Sequence, residues 1–143
     1  MDNNGFTVVE VMVVIVIIGV LLAIVYPSYS QYKVRASRAD AQSEMLFIAQ
    51  RMQAYRTANG SYAGATISTV YGGSVIPKQG VALYTVDFLA APTATGWTLI
   101  AKPIANTPQR NSGWICLNDQ GQKFWGDAAT ACALSASSSW DNH

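Results

Sequence analysis

Residues 6–26 read FTVVEVMVVIVIIGVLLAIVY, an apolar run broken by one carboxylate, Glu10, and preceded by the polar stretch MDNNG. No other feature limits the possible folds so sharply. As a helix rising 1.5 Å per residue, a run of about 21 residues reaches roughly 30 Å, the thickness of a bilayer's hydrocarbon core. A helix able to span a membrane is therefore expected. An acid at the centre of such a span costs about 2.5 to 3.5 kcal/mol, so Glu10 requires a reason. A secretory signal would begin with basic residues, carry a shorter apolar core and end in a small-residue cleavage site. None of these fits, and the expected processing point lies before the run, leaving the run attached.

The 143 residues leave room for one modest domain beyond this segment. The formal charge is +1, and its distribution tells more than its sum. Lys33, Arg35, Arg38, Arg51 and Arg56 outnumber Asp40 and Glu44, whereas from Gly60 onward Lys78, Lys102, Arg110 and Lys123 are balanced by Asp87, Asp119, Asp127 and Asp141. A neutral C-terminal region gives no support for a nucleic-acid surface. Cys116 and Cys132 both follow the span, and an isolated pair suits a disulfide in a translocated domain. Closing a loop of about 15 residues would contribute about 3 kcal/mol. Two unpaired buried thiols are the alternative.

Beyond Pro27 the helical pattern continues, which predicts a kink and not a stop. Tyr29, Tyr32, Ala36, Ala39, Met45, Ile48, Ala49, Met52 and Tyr55 recur at three- and four-residue spacing, with most charges at other angles. One helix from Phe6 to about Ala58 follows, amphipathic after Pro27 and stopped by Asn59-Gly60. The texture then changes to Gly, Ser, Thr and aromatic residues. Leu83–Leu89, Trp97–Ala101, Ile115–Leu117 and Gln122–Trp125 read as strands. Asn118-Asp119-Gln120-Gly121 supplies a hairpin turn between the last two. The expected fold class is α+β, with an antiparallel sheet laid on the second half of the helix. Residues 63–80 read as an irregular connecting loop, and the Ser-rich tail after Cys132 has little regular signal. Tyr62, Tyr71, Tyr84, Phe88, Trp97, Trp114, Phe124, Trp125 and Trp140 are expected to pack a small core in preference to forming a ligand platform.

Catalytic constellations are missing. The one histidine, His143, is the last residue, and there is no HExxH, Gly-rich phosphate loop, CxxC or convincing carboxylate pair. Neither enzymatic activity nor a metal or cofactor is expected.

The segment Gly5-Phe6-Thr7-Val8-Val9-Glu10, continued by the apolar run and Pro27, resembles the class III signal and N-terminal helix of type IV pilins. Ser28-Tyr29-Ser30-Gln31-Tyr32-Lys33 and the stretch from Cys116-Leu117-Asn118-Asp119-Gln120-Gly121 through Trp125 to Cys132-Ala133-Leu134-Ser135 are similar to PilE-type minor pilins of gamma-proteobacteria. The resemblance implies a type IV pilin fold: leader 1–5, helix 6–59 (6–26 as span and filament core, 27–59 amphipathic) and a head at 60–143. It implies cleavage between Gly5 and Phe6 by a prepilin peptidase and N-methylation of Phe6. It also implies storage in the inner membrane with the head in the periplasm, then assembly with other pilin subunits by inner-membrane machinery into an extracellular pilus. Two departures stand out. MDNNG contains no Lys or Arg, while Lys33, Arg35 and Arg38 follow the span, so the N-in orientation follows from peptidase access and the disulfide and not from charge. Val8-Val9 replaces a more usual Leu with Ile or Val, a change that packing tolerates.

Under this resemblance, cleavage makes a cationic amine at Phe6, and Glu10 is expected to pair with that amine on a neighbouring subunit. The bland alternative is a carboxylate that favours the helix N-terminus, worth about 0.3 to 1 kcal/mol. Gly19 and Pro27 mark a stretch expected to loosen on leaving lipid, or one that simply tolerates both residues. Competing functions are a DNA-receptor pilin, for which direct DNA binding has little basic surface to work with, and a type II secretion pseudopilin.

Overall fold

The computed structural model describes residues 5–141; the expectations for leader residues 1–4 and for His143 lie outside these. The helix α1 runs Val8–Asn59, 52 residues, and continues through Pro27. It is followed by α2 (Ile67–Tyr71), β1 (Val75–Ile76), β2 (Tyr84–Phe88), β3 (Thr98–Pro103), β4 (Ile115–Asn118) and β5 (Lys123–Trp125). The chain divides into two compact units, one ending at Arg35 and one beginning at Ala36.

In the first unit, every large apolar side chain of the span is exposed. The amphipathic pattern holds only in the second. There Ala41, Met45, Ile48 and Met52 are fully buried, at the spacing that puts them on one helix face. Tyr29, Tyr32 and Ala39, expected on that face, are exposed instead. Their spacing is helical, but Tyr29 and Tyr32 belong to the first unit and Ala39 falls off the Ala41–Met52 stripe.

The buried stripe joins one core with Tyr84, Val86, Leu99, Ala101, Ile115 and Leu117 from the sheet. All strand pairs are antiparallel and the order is β1-β2-β3-β4-β5, so every strand lies beside its neighbours in sequence. Alternation along β2 is clear: Tyr84 and Val86 point inward while Thr85 and Asp87 face solvent. Along β3 and β4 both faces are covered. Ile100 and Cys116, paired in register, are buried outside the main cluster, on the face where the Cys116–Cys132 disulfide ties down the C-terminal segment. The indole of Trp140 completes that tie by donating to the Cys116 carbonyl at 3.0 Å. The turn joining β4 and β5 uses the expected residues: Gly121 sits at φ 76°, and the Asn118 carboxamide accepts from the Gln122 amide at 2.9 Å.

The four expected strands are present, but residues 63–80 are not simply an irregular loop. They hold α2 and β1. Thr66 caps α2 by accepting from the Thr69 amide while Thr69 returns the bond, and Gly72 closes it at φ 81°. Five helical residues are too few to show a helical period, and two strand residues too few to show alternation.

Candidate functional site

The candidate site for assembly begins where α1 begins. Val8 is the first helical residue, so Thr7 is its cap and Glu10 lies one turn inside. The Thr7 hydroxyl accepts from the Glu10 amide at 3.2 Å, and the Glu10 carboxylate accepts from the Thr7 amide at 3.2 Å and from its hydroxyl at 3.3 Å. This reciprocal capping box satisfies two amides that the first turn would otherwise leave without partners. Helix capping by Glu10 is thus present in the single chain. The sequence carries a signal for this cap that the membrane-length run overshadows: a Thr three residues before an acid, at the head of an apolar run.

Around that acid the surface is almost wholly apolar. Phe6 is 85% exposed, and the Val, Ile, Leu and Met residues of positions 8–25 are each about half exposed or more. A stripe of this size free in water would drive association or membrane insertion, at roughly 25 cal/mol per Å² removed from water. Among the described residues α1 is the one helix long and apolar enough to cross a membrane. Gly19 and Pro27 both lie in this helix, and a side chain at Gly19 would meet nothing within 4 Å. Gly5 adjoins Phe6 outside α1 and is equally unobstructed.

The second unit offers a different surface. Cations repeatedly lie over aromatic faces: Arg38 over Trp125 at 3.6 Å, Lys78 over Tyr71 at 4.2 Å, Lys102 over Trp114 at 4.5 Å and Lys123 over Trp140 at 4.9 Å. Of the nine aromatics expected in the core, Tyr62, Tyr71, Tyr84, Trp97 and Trp140 are buried, while Phe88, Trp114, Phe124 and Trp125 are half-buried. Tyr84 donates to Gln109 at 2.8 Å and meets the Ser112 hydroxyl at 3.0 Å, fixing the 104–112 loop from below. Burial raises the Tyr84 pKa, opposed by its Ser112 hydrogen bond and the charge of Arg38. Burial raises that of Tyr71 as well, and the neighbouring Glu44 carboxylate adds to the effect. The Tyr71 hydroxyl lies beside that carboxylate without the alignment of a full hydrogen bond. Cys116 and Cys132 form a disulfide with Cα atoms 5.9 Å apart, within the ordinary range for such a bridge.

An uncovered apolar helix end joined to a disulfide-closed α+β head places the chain in the pilin class, whose members are structural subunits and not enzymes. The prokaryotic N-terminal methylation motif matches residues 1–26. The family described as type IV minor pilin ComP, DNA uptake sequence receptor, matches residues 27–118, and the chain belongs to that minor pilin family. A fimbrial protein of Neisseria meningitidis serogroup B is 27% identical over 142 residues, 90% of this chain and 79% of its own. The type II secretion system core protein G of Pectobacterium carotovorum is 40% identical over 60 residues, 42% of this chain and 38% of its own. The PilA major pilin of Myxococcus xanthus is 37% identical over 51 residues, 34% of this chain and 23% of its own. The chain thus spans less than half the length of these last two relatives. Among solved structures, the non-core minor pilin PilV of Neisseria meningitidis superposes with a TM-score of 0.55 at 18% identity, covering 71% of this chain and 94% of that one. That likeness speaks for the fold.

Proposed function

We propose that this chain is a minor subunit of a type IV pilus, held in the inner membrane by residues 6–26 with its head in the periplasm, then built into the filament through the same residues. The observation that carries this reading is the uncovered apolar stretch with Glu10 as its sole formal charge. Prepilin peptidase would cut between Gly5 and Phe6, N-methylation would follow at Phe6, and the inner-membrane assembly machinery would pass the subunit to its pilin neighbours. The new amine at Phe6 would meet Glu10 of an adjacent subunit, which neutralises both charges away from water and sets axial register. The capping box sharpens this proposal. Glu10 can hold the first turn with one oxygen while the other takes the amine of a neighbour. Pili of this kind would serve twitching motility and adhesion.

Replacing Glu10 by Val should leave insertion and leader removal intact but reduce recovery in sheared pili by about tenfold or more; normal incorporation would remove the pairing role. Loosening of the stretch from Gly19 to Pro27 on leaving lipid is a further part of this reading. It predicts fast amide hydrogen exchange there in pili, and uniformly slow exchange would eliminate it.

A second reading, reception of DNA during uptake, draws on the matching family, a DNA uptake sequence receptor. The head supplies Lys78, Lys102, Arg110 and Lys123, three of them over aromatic rings. About four phosphate contacts would give a slope near −3.6 in log affinity against log salt. A flat dependence, or no binding at low salt, would exclude this role.

A further inference from the structure

Where the apolar run of α1 ends, the stretch YPSYSQYKVR at residues 26–35 has a composition of its own. Tyr26 is 76% exposed, Tyr29 59% and Tyr32 69%, and Lys33 and Arg35 are exposed as well. The helix is unbroken here, passing through Pro27, whose carbonyl accepts from the Ser30 hydroxyl at 2.9 Å. Helical spacing therefore holds. Each tyrosine stands three residues from the next, Lys33 four beyond Tyr29 and Arg35 three beyond Tyr32, so these side chains are neighbours on the helix surface. They form one exposed patch of rings and cations, all within the first unit.

The chemistry of that patch matches a lipid surface. A tyrosine with an apolar ring and a polar tip suits the layer where hydrocarbon meets water. The rise from Tyr26 to Tyr32 is about 9 Å, comparable with the headgroup layer of one leaflet, about 5 to 8 Å. Helical Cα–Cβ bonds tilt toward the N-terminus, so the long stems of Lys33 and Arg35 start back toward the apolar run and can lower their charges to that layer. No Asp or Glu occurs between Glu10 and Asp40, which leaves the stretch positive. In the N-in orientation these cations stand on the side that charge alone disfavours, and attraction to anionic headgroups gives them a use there. The apolar run of a second copy has only Glu10 to offer them, whereas an anionic leaflet surrounds them.

We propose that Tyr26, Tyr29 and Tyr32, with Lys33 and Arg35, form a clasp on anionic phospholipid headgroups of the outer leaflet and so fix the depth of α1 before assembly. The clasp rests on the reading of residues 6–26 as a membrane anchor. With Tyr26 at the outer boundary of a hydrocarbon core about 30 Å thick, Glu10 lies about 24 Å deeper, near the inner boundary and away from the centre, where an acid costs most. The depth that suits the tyrosines thus suits the acid too.

The test uses the full-length chain with fluorotyrosine in place of tyrosine, reconstituted in vesicles of phosphatidylcholine and phosphatidylglycerol. Single Tyr→Phe variants assign the fluorine NMR signals. A spin label on the phosphatidylglycerol headgroup should broaden Tyr29 and Tyr32 more than the same label on phosphatidylcholine, and added salt should reduce the difference. Lys33→Gln with Arg35→Gln should lower this preference about fivefold per charge, while Lys33→Arg with Arg35→Lys keeps it. Equal broadening by the two lipids, or a preference unchanged in the Gln pair, overturns the proposal. Depth is read separately: a label midway down the acyl chain should act most on Tyr26 and least on Tyr32, and a uniform response overturns the assigned depth. Because the altered residues lie outside the buried core, the head's melting temperature should not change. The chain's presence in sheared pili is scored in cells. Lipid preference without the chain in pili would end the pilus reading and keep the clasp; the chain in pili without lipid preference would end the clasp alone.

Discussion

Two halves of one helix have opposite fates. From Val8 to Val25 the large apolar side chains of α1 are all exposed, while from Ala36 to Asn59 the helix gives Ala41, Met45, Ile48 and Met52 to a core. The first half is the more hydrophobic, yet it contributes least to the stability of the single chain. What distinguishes them is the partner. The second half finds its apolar surface within the same molecule, and the first half must find it in lipid or in other subunits. Hydrophobicity read from a sequence therefore measures how much must be covered and says nothing of what covers it.

The sharpest way to break this contrast is a matched pair of truncations. Met45→Ala should lower the unfolding free energy of the head by about 2 to 5 kcal/mol, because it leaves a cavity in a packed core. Leu22→Ala should leave that free energy within about 0.5 kcal/mol but reduce recovery in pili. Thermal unfolding of the full chain in detergent reads the first, and assay of sheared pili reads the second. Equal effects of both variants on unfolding would mean that the two halves are not independent.

A smaller effect distinguishes them by pH. Tyr71 and Tyr84 belong to the second unit and hold their phenolic protons more tightly than the ordinary value of 10.0. Their folded-state pKa values are raised, so the contribution is complete below about pH 10 and is lost as pH rises, because the unfolded chain releases protons that the folded one retains. Head stability should fall above pH 10 and fall less steeply in Tyr71→Phe. A pH-independent melting temperature from pH 9 to 11 would count against this.

The smallest effect belongs to the cap. Thr7→Ala should cost about 1 kcal/mol at the first turn of α1, visible as faster hydrogen exchange at Val8, Val9 and Glu10, with head unfolding unchanged. Slow exchange retained at those amides would show that the cap adds nothing there.

Much of this architecture is legible in the sequence because its signals are long or chemically distinctive. The length of α1, four strands, the Asn118–Gln122 turn and the pairing of the two cysteines all follow from periodicity, turn chemistry and cysteine count. Short elements are not legible in this way. The box at Thr66 and Thr69 uses a Thr where Glu or Gln is the usual signal, and β1 has two residues. The groove between α1 and the β1–β2 hairpin is invisible for another reason. Asp40 and Glu44 look like ordinary solvated charges until folding brings Ile76, Pro77 and Leu83 opposite them. Trp140 likewise lies in a tail without regular signal, and only its bond to the Cys116 carbonyl shows why it is buried.

The meander order of the sheet has a consequence for crowding. Its two borders are β1, with two residues, and β5, with three. A border that short exposes too few backbone amides and carbonyls to template a strand from another molecule. Heads concentrated side by side are thereby kept from knitting into a continuous cross-strand aggregate, and reversible association is left to side chains.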